Sequence, residues 1–483
     1  MDNDKTIFEK SSPGKNGYKL PDAHKDVSEY IPDKFLRTTP PVLPEVSESE
    51  TVRHFISLSS KNHHIDKGFY PLGSCTMKYN PKFNDRIASL TGFSSLHPLQ
   101  PDSMVQGALE VMYHSGEILA EISGMDDTTL QPAAGAHGEF TALLMIRAYH
   151  TKNGNPRRKV IFPDSAHGTN PASVAFAGYK SVQVKSSEDG LVDIEALRNV
   201  MDTEVAAFML TNPNTLGLFE KNIIEIAEIV HSVGAQFYMD GANLNAILGR
   251  IKPGDMGFDI IHFNFHKTFS TPHGGGGPGA GALSFKEQLS PFAPTPRVKK
   301  VSDVYSFDYN LPDTIGKVHS FNGNFSNLIR GYAYLRHLGL EGLREVSKNA
   351  VINANYLKAK LKEYFDLPFT QTCMHEFLLS GDRQKKLGAR TLDMAKRLMD
   401  FGIHPPTVYF PLIVSEAMMI EPTETESKEE LDRFVDAMIQ IAQEAEENID
   451  IIKTAPHNTP VGRVDEGKAA RELVVKWSPE KKE

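Results

Sequence analysis

Lys267 stands where a lysine needs a reason. It follows the apolar and aromatic run Asp259 to Phe265, DIIHFNF, which reads as a buried strand, and it precedes Thr268, Phe269, Ser270 and the glycine cluster Gly274 to Gly277. The apolar run Ala235 to Asp240, AQFYMD, ends on an acid 27 positions upstream, about one strand-helix-strand unit away. This spacing predicts an acid and an amine at the same end of adjacent parallel strands, where open α/β sheets bind ligands. A lysine partly desolvated there loses its proton more easily and becomes an amine nucleophile able to form a Schiff base with an aldehyde. A buried carboxylate facing a ring nitrogen holds a pyridinium protonated and makes the ring an electron sink. Pyridoxal 5'-phosphate (PLP) carries both the aldehyde and the ring nitrogen. Alone, either residue is more commonly a surface lysine or a turn-capping aspartate, so the motifs around the pair decide.

An anchor for the phosphate comes first. In LQPAAGAHGEFTALLMIRAYH the small residues Ala133, Ala134, Gly135 and Ala136 stand just ahead of a helical run expected to begin near Glu139. Small residues let backbone N–H groups approach an anion, and the helix dipole favours negative charge there. His167, in DSAHGTNPASVAF, follows the strand KVIFPD and is placed to stack on the cofactor ring, its nitrogens free for substrate. Thr211 and Asn212, in MLTNPNTLGLFE, follow another strand and can donate hydrogen bonds toward the cofactor's phenolic oxygen or the substrate. His266 can either reach the phosphate or face the opposite side of the strand end. The run HGGGGPGAG, His273 to Gly281, is neither a G-x-G-x-x-G helix opening nor a Walker A sequence. Its glycines fit a backbone passing close to cofactor, substrate or a neighbouring subunit.

These residues need a frame of strands. From Lys159 the runs KVIFPD, SVQVKSS, AAFMLT, AQFYMD, IIHFNF and AGALSF alternate with helical stretches such as Ile194 to Met201 and Lys221 to Val233, with Gly234 at the stop. That alternation predicts an α/β fold with a doubly wound, mostly parallel sheet. After Asn324 a long helical pattern leads to strand candidates MHEFLLS and TVYFPLIV separated by the helix TLDMAKRLMDFG, then the amphipathic helix EELDRFVDAMIQIAQEAEENI. This reads as a smaller C-terminal α+β domain. Prolines recurring through the first 52 residues exclude a long helix there and suggest an extended N-terminal arm. The expected division is 1–75 for the arm segment, 76–335 for a large PLP-binding domain and 336–483 for the small domain.

With 483 residues, 40% of them hydrophobic, the chain can bury a large core. A net charge of −9 with dispersed basic residues argues against nucleic acid as partner. Cys75 and Cys373 are too few for a disulfide framework and lack metal-ligand spacing, so no metal site is expected. The polar, acid-containing N-terminus fits neither a secretion signal nor a transit peptide, and no apolar run reaches transmembrane length. A cytoplasmic protein without a membrane partner is the expectation.

Taken together, FYPLGSCTMKYNPK, LQPAAGAHGE, SAHGTNPAS, TNPNTLGLFE, YMDGANLNA, HFNFHKTFSTPHGGGGPGAG, FNGNFSNLIRGYAYLR, MHEFLLS, IEPTETES and APHNTPVGRVDE resemble the P-protein family of the glycine cleavage system. The family comprises PLP-dependent glycine dehydrogenases (decarboxylating). The motifs span Phe69 to Glu466 in family order, and the length matches only the lysine-bearing half of the fused form, so the chain resembles subunit 2 of the two-subunit form. The resemblance implies a fold type I, PLP-dependent transferase-like architecture, glycine as substrate, a subunit 1 in a heterotetramer of two of each, and lipoylated H-protein as acceptor of the aminomethyl group. It implies Lys267 and His167 as catalytic, with Asp240, Ala134, Gly135, Ala136, Thr211 and His266 joining them in holding the cofactor. The PHGGGG loop and PLGSCT are candidates for lining a lipoyl channel. The family often has Arg and Tyr where this chain has His319 and Asn322, which weakens any substrate role for those two. Alternatives are another large-domain PLP enzyme such as a cysteine desulfurase, or a non-catalytic PLP-binding subunit. A desulfurase needs a cysteine on a mobile loop, and a scaffold has no use for an electron sink.

Overall fold

Val205 to Thr211, VAAFMLT, is apolar on both faces and buried at every residue, the pattern of a strand covered on both sides by helices. In the computed structural model, which describes residues 5–17, 21, 26–39, 41–274 and 279–478, it is the fourth of seven strands in one sheet. These are β1 (Asp127–Thr129), β2 (Lys159–Pro163), β3 (Lys180–Val184), β4 (Val205–Thr211), β5 (Gln236–Asp240), β6 (Ile260–Asn264) and β7 (Gly281–Phe285), in spatial order β1-β7-β6-β5-β4-β2-β3. Strands β2 to β6 run parallel, and β7 is antiparallel to both β6 and β1. The sheet is therefore mostly parallel, as the alternation of strands and helices requires.

Two apolar layers cover it. On one side Phe208, Phe237 and Phe263 join Phe258, Phe265 and Phe269, with Phe237 and Phe258 stacked at 4.0 Å. On the other, Val160, Phe162, Ala206 and Tyr238 pack against Leu143, Met145 and Ile146 of the Gly135–Lys152 helix. Each fully buried aromatic contributes roughly 1.5–3 kcal/mol relative to exposure. The Ile223–Ser232 helix ends where Gly234, at φ +71°, turns the chain into β5. Between β5 and β6 the connection is two short 3-10 turns, Gly241–Ala246 and Pro253–Met256, rather than the full helix expected there.

The Phe325–Leu361 helix, interrupted at Gly339, leads to a three-stranded antiparallel sheet. Here one expectation is corrected. TVYFPLIV forms only the two-residue strand Thr407–Val408, because Tyr409 takes a positive φ of 58° and Pro411 has no N–H for a ladder. The central strand is instead Ala417–Ile420, paired with Phe377–Ser380 of MHEFLLS and with Thr407–Val408. Helices Thr391–Asp400 and Lys428–Glu447 bury their apolar faces against it around Phe365, Phe377 and Phe434.

The chain divides into two compact units, Met1–His64 with Pro456–Glu483, and Ile65–Ala455. In the first, prolines restrict the chain to short turns such as Val27–Glu29 and Asp33–Phe35 before the Glu48–Ser60 helix. A reciprocal Ser47–Glu50 capping box opens that helix. No helix among the described residues is long and apolar enough to cross a membrane.

Candidate active site

Reading across the sheet through β6, β5, β4 and β2, the carboxyl ends of four neighbouring strands deliver Lys267, Asp240, Thr211 and His167. Thr211 and Asp240 are direct partners in the β4–β5 register, and Lys267 sits in the turn Phe265–Thr268 that ends β6. All four line one cavity of about 100 Å³, together with Gly135, Ala136 and Ser74. A larger cavity of about 400 Å³ lies elsewhere, lined by Tyr113, Asp127, Gln131 and Arg297. It holds no lysine, so size does not mark the reactive site.

The Gly135–Lys152 helix starts at Gly135, four residues before the expected Glu139. Its N-cap, Ala134, has no side-chain oxygen for the first-turn N–H groups, and the first turn has no acid. Those donors are left for an anion at the cavity's edge. A Cβ at Gly135 would lie 2.6 Å from the Asn264 side-chain amide, which would have to shift to admit it.

Asp240 is 2% exposed and fully coordinated by donors. Asn170 Nδ2 donates to Oδ2 at 3.0 Å, Ala242 N donates to Oδ1 at 2.9 Å, and His262 Nε2 lies 3.4 Å from Oδ1. Burial alone would raise its pKa, but His262, the two hydrogen bonds and Lys267 outweigh it and hold the carboxyl below its usual range. His262 is in turn bonded through Nδ1 to the Tyr238 hydroxyl at 2.5 Å. Glu139, behind them, accepts from Thr169 Oγ1 and Ser173 Oγ, both at 2.7 Å. Burial and the Asp240 charge push it up to about 7.

Lys267 Nζ donates to the Ser74 carbonyl at 2.8 Å. His167 accepts through Nδ1 from Thr169 N at 3.2 Å, and burial followed by Lys267 lowers its pKa, leaving a neutral flat ring at the cavity wall. Thr211 Oγ1 and Asn264 Oδ1 are buried without a partner. Asn212, by contrast, is spent on the fold, accepting from Glu220 N. His266 does not line the cavity. Asn264 Nδ2 donates to its Nε2 at 3.3 Å, its ring meets His273 edge-on at 4.9 Å, and burial, His273 and Lys267 push its pKa down to about 3. Asn322 lines the larger cavity, and His319 lies 6.2 Å from His137. Of the PLGSCT segment, Ser74 reaches the cavity; Gly275 to Pro278 of the glycine run lie outside the described residues.

The residues present fit PLP. There is an amine, a carboxylate kept charged one strand away, a neutral flat ring, a helix start free of side-chain caps, and the orphaned Thr211 hydroxyl for a further polar atom. Neither cysteine offers a thiolate: burial raises the Cys75 pKa and pushes Cys373 to about 12. Reading the sequence missed Glu139, Asn170 and His262. The signal was available in HFNF, where His262 and Asn264 interrupt a buried strand on one face.

The chain matches the family model described as glycine cleavage system P-protein over residues 20–301, and that described as glycine dehydrogenase, C-terminal domain, over residues 346–461. It is 58% identical over 478 residues to the probable glycine dehydrogenase (decarboxylating) subunit 2 of Listeria innocua, and 59% identical over 475 residues to that of Bacillus licheniformis, with 98% of each chain covered in both cases. Among solved structures it is similar to glycine decarboxylase (P-protein) of the glycine cleavage system in inhibitor-bound form, with TM-score 0.73 and 21% identity over 87% of this chain and 95% of that one. It is also similar to the apo cysteine desulfurase from Thermococcus onnurineus, with TM-score 0.61 and 16% identity over 78% and 95%. The fold is thus that of the PLP-dependent fold type I enzymes. With close relatives matched along nearly its whole length, the chain belongs to the glycine cleavage system P-protein family.

Proposed function

We propose that this chain is the lysine-bearing subunit of a two-subunit glycine dehydrogenase (decarboxylating), which removes CO2 from glycine and passes the aminomethyl group to the lipoyl arm of H-protein. The observation that carries this reading is the convergence of Lys267, Asp240, Thr211 and His167 from adjacent strand ends on one cavity. PLP, when bound, supplies an aldehyde for an amine and a ring that takes up the electrons released as CO2 departs.

The chain's own residues divide the work. Lys267 provides the amine. Asp240, charged and fixed by Asn170 and Ala242, holds a proton on the ring nitrogen. His167 would stack on the ring, and the uncapped helix N-terminus at Gly135 and Ala136 would hold the phosphate. Thr211 donates its free hydroxyl. The designation "subunit 2" carried by the relatives supports a partner subunit 1; an assembly with two copies of each, acting in the cytoplasm, is part of the same proposal.

The test is an absorbance scan of the full chain, with and without subunit 1, before and after borohydride reduction and peptide mapping. A visible band that reduction fixes onto Lys267, with glycine-dependent CO2 exchange when lipoylated H-protein is added, is the expected result. A label on another lysine, or no PLP taken up even beside subunit 1, overturns the reading.

A further inference from the structure

On the side of Lys267 away from the sheet lie three fully buried groups that this chemistry does not use. His375 and Glu376 precede the strand Phe377–Ser380, and Glu421 follows the strand Ala417–Ile420. Glu376 and Glu421 stand one step beyond the paired Phe377 and Ile420, so two acids face each other across neighbouring strands. One ligand atom from each of the three groups lies within 4.8 Å of the others, and all three residues are 0% exposed. Gly217, at φ +77°, fixes Glu376 in place: a Cβ there would lie 1.9 Å from the Glu376 carbonyl oxygen.

One oxygen of each acid is occupied. Ser74 N donates to Glu376 Oε2 at 2.7 Å; Thr76 Oγ1 and Asn245 Nδ2 donate to Glu421 Oε1 at 2.6 and 3.2 Å. The other oxygens, Glu376 Oε1 and Glu421 Oε2, have no partner, nor do the two ring nitrogens of His375, whose Nε2 is 3.7 Å from Glu376 Oε1. Buried polar atoms are rarely left so. A single proton on Glu376 Oε1 turns one orphan acceptor into a donor for the others, and like charges directly opposite in a ladder are relieved.

The groups facing the pair agree with one proton. Lys267 is the cation that bears on it, while Lys78 is taken up by Glu424 at 2.6 Å. Glu424 and the half-buried Cys75 face Glu421, and Cys373 faces Glu376. His375 is kept neutral, pushed down to about 3 by burial and then by Lys267. Burial and Glu421 push Glu376 well above its ordinary value. Burial, opposed by the Thr76, Lys267 and Asn245 interactions, leaves Glu421 raised to about 7.

The same short segment reaches the lysine. Ser74 adopts a positive φ of 64°; its N–H is held by Glu376 and its carbonyl accepts from Lys267 Nζ. We propose that Glu376 and Glu421 hold one proton between them and are positioning residues for Lys267, the charge of the pair acting through Ser74 to keep the lysine docked or to release its amine. This rests on Lys267 being the aldehyde-binding amine. With the proton in place the pair carries one negative charge and the amine is free to leave the Ser74 carbonyl. Once that proton passes to solvent, the second charge holds Lys267 on the Ser74 carbonyl.

The experiment uses the full chain freed of bound cofactor. The rate of PLP capture, with the adduct reduced by borohydride and mapped to Lys267, is compared at about pH 8 and about pH 6 in the wild type, E421Q and E376Q. Glutamine retains an acceptor for Ser74 N or for Thr76 and Asn245 but cannot ionise. The ratio of the rate at the higher pH to that at the lower is expected to rise at least about threefold in both variants, the size of a half-unit titration shift. Unchanged ratios, or equal slowing at both pH values as a purely structural role would give, overturn the proposal. Absence of a Lys267 adduct in the wild type overturns the reading of the lysine itself.

Discussion

Lys267 lies between two buried acidic groups that are built on opposite principles. On the sheet side, Asp240 and Glu139 accept from Asn170, Ala242, Thr169 and Ser173, so that every carboxylate oxygen has a donor. On the side of the three-stranded sheet, Glu376 and Glu421 each have one oxygen bonded and one orphaned. Fixed donors together with His262 and Lys267 hold Asp240 charged, while Glu139, equally well bonded, is pushed up by burial and the Asp240 charge. A carboxylate with free lone pairs beside a like charge takes up a proton. The first arrangement suits a permanent partner for a ring nitrogen, and the second suits a group whose charge changes as the amine changes hands.

The small-sheet side is not loose throughout, and its firmest element gives the largest expected effect. Lys78, with its side chain 0% exposed, donates to Glu424 at 2.6 Å and to the Thr268 carbonyl at 2.9 Å, tying the residue after Lys267 to the segment beyond β-strand Ala417–Ile420. Lys78→Met leaves a buried, uncompensated carboxylate and is expected to cost about 3–5 kcal/mol in urea unfolding. The double variant with Glu424→Gln should recover at least half of that. A single variant as stable as wild type would mean that this anchor contributes nothing to holding the lysine turn. On the sheet side, Asp240→Asn keeps the shape and removes the fixed charge. Glycine-dependent turnover is expected to fall about 10²–10³-fold, in line with losing one preorganised electrostatic partner, with the borohydride label on Lys267 retained. A loss below about tenfold would erase the distinction between the fixed and the variable group.

The sheet-side group was the more legible of the two. Asp240 and Lys267 each close an apolar run, and strand ends in a parallel sheet converge by construction. Their supports were harder to see because they come from elsewhere in the chain: Glu139 from the Gly135–Lys152 helix, Asn170 from the turn of helix after β2, His262 from the far side of a strand read only as apolar. Glu376 and Glu421 were out of reach, since their opposition depends on a strand, Ala417–Ile420, that the continuous apolar look of TVYFPLIV concealed. The positive φ at Tyr409 and the proline at 411 end that run. In the first compact unit, the Ser47-x-x-Glu50 signature of the Glu48–Ser60 helix was present in the sequence and hidden by the prolines ahead of it.

Glu139 tests how completely the sheet-side group is satisfied. Burial and then Asp240 raise it from an ordinary 4.5 to about 7, against the hydrogen bonds of Ser173 and Thr169. Between those two values the folded chain keeps a proton that the unfolded chain has released, so this residue's contribution to stability declines as pH rises through that window and stays lost above it. Glu139→Gln cannot ionise and still offers an oxygen to Ser173 or Thr169. Its unfolding midpoint in urea should match wild type near pH 4 and exceed it near pH 8, by about 1–3 kcal/mol in free energy. A constant difference at both pH values would place the cost in lost hydrogen bonds rather than in charge. Glu139 would then ionise as it does in the unfolded chain, and the sheet-side group that contrasts with Glu376 and Glu421 would carry two charges at neutral pH.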